Sequence, residues 1–153
     1  MDYSKQIAAS IVSYFEDNNF HYSFDKERGV ITNTFNMEGK LKNIRYAIGV
    51  RESDYIVYAT VDINADEECR AAVSEFLTRA NYGMLFGSFE MDYRDGEIRF
   101  RVAVDCDECM PSSAVIRNSI IFPHQAFSKY GNGLLTVMFG VMTPEEAIKG
   151  IEG

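Results

Sequence analysis

Two thiols three residues apart, in Cys106-Asp107-Glu108-Cys109, make the one short motif of this chain with chemical content. Such a pair can supply half of a tetrahedral metal site or close into a strained, reducible disulfide. A structural zinc site needs four ligands, and no second Cys-x-x-Cys is present; Cys69, His21 and His124 would have to complete the set from far away in sequence. A thioredoxin-type site places its first cysteine at a helix start after a strand of a βαβ unit, whereas both cysteines here precede the helix. Asp107 and Glu108 disfavour the thiolates through like charge. The expectation is an ordinary loop, with Cys106 and Cys109 only weak metal candidates and no cofactor.

The remaining reactive side chains read as structure. Glu90, Asp92, Asp95 and Glu97 cluster near one hairpin, but paired acids do acid–base work only where burial separates their pKa values. These alternate with arginines, as on a solvated face. His21 stands among Phe20, Tyr22 and Phe24 and is expected in a strand; His124 follows Pro123 inside a helix. No serine or cysteine has histidine and acid neighbours in a nucleophile motif, so no catalytic residue is expected. Asp105-x-Asp107-Glu108 lacks the loop pattern of a calcium site. Gly83 and Gly87 follow a helix and precede a strand, the reverse of a phosphate-cradling loop, and read as a helix C-cap and a strand entry.

The elements that must position these residues can be read from periodicity. With 153 residues and 46% apolar content, the chain can bury a core without metal or disulfide, and one domain over 1–153 is the simplest reading. The net charge of −8 makes it a poor phosphate-backbone binder, so no nucleic acid is expected. No apolar run is long enough to span a bilayer, and the first residues lack a basic region followed by an apolar one. With an odd, small number of cysteines, the expected place is the cytoplasm.

Ile7, Ile11 and Tyr14 set a helix over 4–18, and strands are expected over 30–37, 44–50 and 55–63. The last has apolar residues on both faces and reads as central, leaving Tyr58 on the second face as a candidate for a binding surface. Asn64 with Glu67 forms a capping-box pattern for a helix whose stripe is Cys69, Val73, Phe76, Leu77 and Ala80. Residues 85–93 and 97–105 predict a hairpin about a two-residue Asp95-Gly96 turn. That register sets Met91 opposite Phe100, Phe89 opposite Val102, Asp92 opposite Arg99 and Glu90 opposite Arg101.

A helix over 112–130 should kink or break at Pro123 and be interrupted at Gly131-Asn132-Gly133. Residues 134–141 fit helix or strand by length, with continued helix favoured. Thr143, Pro144 and Glu146 predict a capped terminal helix. The expected fold is α+β: an antiparallel sheet of five to six strands with helices packed mainly on one face, in the order α-β-β-β-α-β-β-α.

The run from Ala80 to Phe100 resembles the YbjN family of bacterial proteins, described as sensory transduction regulators. Asn81, Gly87, Phe89, Asp92, Asp95 and Gly96 carry the match: a helix ending in Asn, a Gly, a Phe-x-x-Asp strand and an Asp-Gly turn. The turn at 25–29 and the stretch from Gly140 through Thr143-Pro144-Glu145-Glu146-Ala147 are weaker similarities. The resemblance implies a fold similar to type III secretion chaperones. It also implies a non-enzymatic, protein-binding regulator or chaperone-like adaptor, with a protein or peptide partner and a homodimer as its expected assembly. It carries over no catalytic residue. Pro123 and the Cys106–Cys109 loop have no counterpart in the family pattern. The alternatives are a small-molecule-sensing domain with a pocket between sheet and helices and, third, a thiol or metal protein built on Cys106 and Cys109.

Overall fold

The computed structural model describes residues 2–153. Helix α1 (Lys5–Asp17) starts where the Ser4 hydroxyl accepts the amide of Ile7, and its Ile7, Ile11 and Phe15 turn one stripe inward. Four strands follow: β1 (Ser23–Asp25), β2 (Val30–Asn36), β3 (Asn43–Val50) and β4 (Asp54–Thr60). A single 3₁₀ turn (Glu67–Cys69) leads into α2 (Arg70–Asn81). Strands β5 (Ser88–Met91) and β6 (Ile98–Asp105) precede the long α3 (Ser113–Met138) and the terminal α4 (Pro144–Glu152). The six strands form one open antiparallel sheet in the order β1-β2-β3-β4-β6-β5. This is the α+β class that the periodicity predicts, with β4 central.

Strand alternation divides the sheet. Ile31, Ile44, Tyr46, Ile48, Tyr55, Val57, Ile98 and Phe100 share one buried cluster with residues from all four helices. Their neighbours along the strands, such as Thr32, Thr34, Arg45 and Arg101, face the other way and are exposed. Two buried tyrosines tie α3 to this sheet. The Tyr46 hydroxyl donates to the Ile120 carbonyl at 2.6 Å, and the Tyr55 hydroxyl lies 2.9 Å from Ser119 Oγ. Left unpaired, each buried hydroxyl would cost ~1–3 kcal/mol.

Several expectations are corrected. Helix α3 runs unbroken through Pro123 and on through 131–133 to Met138, so neither expected break occurs, while residues 134–138 continue the helix as favoured. Gly131 and Gly133 are points of close approach: a Cβ would lie 2.6 Å from Leu41 Cδ1 at the first and 2.5 Å from Ile151 Cδ1 at the second. Asn64 does not cap α2. Its carboxamide donates to the Asp95 carbonyl, while the Ala65 amide donates to Gly96 O at 2.9 Å and Arg70 Nε to Ala65 O, which holds 64–66 outside the helix. Cys69 lies at the helix start, half-buried, donating to Asp66 O. The strand expected over 55–63 ends at Thr60, and that expected over 85–93 shrinks to Ser88–Met91.

The β5–β6 register differs from the predicted one by two residues: Met91 faces Ile98, Phe89 faces Phe100 and Glu90 faces Arg99. A shift of two leaves every side chain on its expected face. The loop is Tyr93–Gly96 closed by Asp92 and Glu97, because the Asp92 amide donates to Glu97 O and the Gly96 amide to Asp92 O. Among the described residues no helix is long and apolar enough to cross a membrane.

Candidate functional site

The segment between α2 and β5 is built from its two ends. At the first, the Asn81 carboxamide donates to the Phe89 carbonyl at 2.9 Å and accepts the Phe89 amide at 2.7 Å. At the second, Gly87 sits at φ +82°, where a Cβ would lie 2.5 Å from Phe100 Cε1 and 2.6 Å from the Arg101 carbonyl. The chain between them is thereby pinned in place, with Met84 half-buried against the core while Tyr82, Leu85 and Phe86 project into solvent. Leu85 is 87% exposed and Phe86 62%, and Tyr82 beside them is more exposed still.

Phe86 is not loose. It stacks on Phe122 of α3 with ring centroids 5.1 Å apart and an interplanar angle of 8°. Beside the pair opens a groove of about 580 Å³ lined by Met84, Phe86, Phe122, Lys129, Tyr130 and Ile151. The Tyr130 hydroxyl donates to Glu152 Oε1 at 2.6 Å, and the Lys129 ammonium lies 5.2 Å from the Tyr130 ring centre. Burial and then the neighbouring Glu152 push the Tyr130 phenol up to about 12. The groove therefore presents apolar and aromatic faces with one cation and one carboxylate at its rim, a surface suited to holding apolar side chains. Periodicity alone missed Leu85, Phe86 and Phe122. The signal for the first two was the run Met84-Leu85-Phe86 between Gly83 and Gly87, which does not alternate as a strand should. Gly83, read from sequence as a C-cap, has no positive φ.

The other motif residues shape the opposite end of β5, at its loop to β6. Asp92 accepts the Arg94 amide and guanidinium, and these bonds hold its carboxyl down at about 2. Asp95 Oδ1 accepts the Glu97 amide at 2.9 Å. Gly96 lies at φ +78°, where a Cβ would meet the Ala65 carbonyl oxygen at 2.0 Å. Glu90 pairs with Arg101 as expected and also with Arg99, each at 2.8 Å, while Asp92 pairs with Arg94 rather than Arg99. On the open sheet face the Arg99 guanidinium covers Tyr58 at 4.2 Å.

The thiols and histidines stay apart from this surface. Cys106 is 6% exposed and Cys109 exposed. Burial pushes the Cys106 thiol up, followed by the charges of Asp105 and Asp54 and the neighbouring Cys109; Asp107 and Glu108, expected from sequence to do this, are not among its causes. His21 is exposed, just outside β1, and its carbonyl accepts Asn33 Nδ2. His124 Nε2 lies 3.2 Å from the Asn36 carbonyl. Among the described residues no three His, Cys, Asp or Glu side chains gather as a metal site. In comparisons with known proteins, no family model matches the chain and no curated protein matches it.

Proposed function

We propose that this chain is a non-enzymatic, protein-binding regulator, a chaperone-like adaptor of the kind implied by its resemblance to the YbjN family and to type III secretion chaperones. The observation that carries the reading is Leu85 and Phe86 held out in solvent beside an aromatic groove. Large exposed apolar side chains on a pinned loop mark an interaction surface. The occupant is an apolar peptide segment of a partner protein with basic flanks, which the chain's net charge of −8 attracts. It engages side-chain pockets rather than adding a strand at Phe89, whose amide and carbonyl are already taken by Asn81. Its place is the cytoplasm, and a second copy is the competing occupant.

The test compares the tagged full chain with Phe86→Asp in native lysate, with crosslinking to map the bound segment. The reading expects a partner captured by the parent protein, crosslinked near Met84–Phe86 and lost in the variant, with unchanged circular dichroism. Equal capture by both proteins, or no partner at micromolar concentration, overturns it. Concentration-dependent mass by analytical ultracentrifugation, abolished by the same substitution, identifies the second copy instead.

A further inference from the structure

The Cys106–Cys109 loop has a geometry that the binding surface does not use. The Cys109 amide donates to the Cys106 carbonyl at 3.2 Å, and Glu108 between them sits at φ +54°. This closes a tight turn, in which the first and fourth Cα atoms lie within ~7 Å. A disulfide requires Cα atoms about 4.4–6.8 Å apart, so the backbone has already brought the two cysteines into that neighbourhood. One end is fixed, since the Cys106 amide donates to the Ser53 carbonyl at 2.8 Å. The other leads through Met110 and Pro111 to Ser112, whose hydroxyl caps α3 by accepting the Val115 amide.

We propose that Cys106 and Cys109 are a reversible thiol–disulfide pair, oxidised by a low-molecular-mass disulfide of the glutathione type, with Cys109 attacking first and Cys106 resolving. The order follows from access: Cys109 is exposed and Cys106 is 6% exposed. Burial and neighbouring acids also disfavour the Cys106 thiolate. In the first step Cys109 Sγ gives up its proton and attacks one sulfur of the oxidant. The sulfur–sulfur bond of the oxidant breaks, and one glutathione leaves as a thiolate that takes up that proton. In the second step Cys106 Sγ loses its proton and attacks Cys109 Sγ; the mixed disulfide breaks and the second glutathione leaves as a thiol. Two cysteine thiols are thereby oxidised by two electrons, and one glutathione disulfide becomes two thiols. A bridge across so short a loop gains little from loop closure and is readily reduced, as a sensing pair requires.

The test incubates the full chain at a series of oxidised-to-reduced glutathione ratios, quenches with iodoacetamide and maps peptides by mass spectrometry. The expected parent result is a 106–109 crosslink that lacks two hydrogen atoms, is reversed by dithiothreitol, and leaves Cys69 alkylated. Cys106→Ser is expected to accumulate glutathione on Cys109. Cys109→Ser, altered only at an exposed site and so expected to fold, is expected to keep Cys106 as a thiol. A stable glutathione adduct on Cys109 of the parent without a crosslink, a bond from either cysteine to Cys69, or thiols that persist throughout the series overturns the proposal.

Discussion

The side chain of Asn81, the last residue of α2, closes a two-bond ring with the backbone of Phe89 in β5. It occupies the amide and carbonyl that an edge strand would otherwise offer to another chain, so one residue joins helix to sheet and blunts the sheet edge. Asn81→Ala is expected to lower unfolding free energy by ~2 kcal/mol, since both backbone groups lose partners. Urea denaturation reads the loss, and faster hydrogen exchange at the Phe89 amide locates it.

Two glycines give opposite expectations for the same change. Gly96→Ala places a Cβ 2.0 Å from the Ala65 carbonyl oxygen and keeps a left-handed backbone that alone costs ~1–2 kcal/mol. It is expected to lower the melting temperature sharply. Gly150, within α4, has open space where a Cβ would stand and no positive φ. Gly150→Ala is expected to stabilise by ~0.5–1 kcal/mol. Calorimetry on the two variants checks the contrast.

The tyrosines predict the alkaline limit. Burial pushes the Tyr55 phenol up to about 12, against its bond to Ser119, and raises Tyr46 still further. A phenol that binds its proton more tightly when folded stabilises fully below its unfolded pKa of ~10, and that contribution is lost as pH rises towards the folded value. Stability is therefore expected to hold through neutral pH and fall from pH ~10 upward. Tyr55→Phe, which has no phenol to ionise, is expected to show a shallower fall. Urea midpoints measured across the alkaline range decide it.

What could be read before folding follows from which forces are local. The faces of β3 and β4 were legible because alternation is fixed by the pleat, and Ile44, Tyr46, Ile48 and Val50 all turn inward as predicted. The terminal helix was legible because Thr143 and Glu146 cap it reciprocally. The hairpin register was not. An Asp-Gly pair fits a two-residue or a longer loop, and the choice was made by Asp92 holding Arg94 and by Ala65 resting against Gly96. Pro123 and the glycines of α3 suggested breaks from propensity alone, but packing against Leu41, Phe76 and Ile151 carries the helix through. Of the candidate site, Asn81, Gly87 and Phe89 stood out from motif order. The stacking of Phe86 on Phe122 joins a loop to a distant helix and leaves no mark in either segment.

The strand order has a kinetic consequence. Strands β1 to β4 pair with one another in sequence order, so this meander can form through short loop closures. Strand β6, not β5, docks on β4, and Thr60 meets Arg99 only after the intervening chain has supplied α2 and β5. The β5–β6 hairpin, though local itself, is therefore expected to dock late, closing the longest loop in the sheet. Until it does, the flank of β4 is the exposed seam of the nascent protein, and the rate of that docking sets how long a growing or refolding chain displays it.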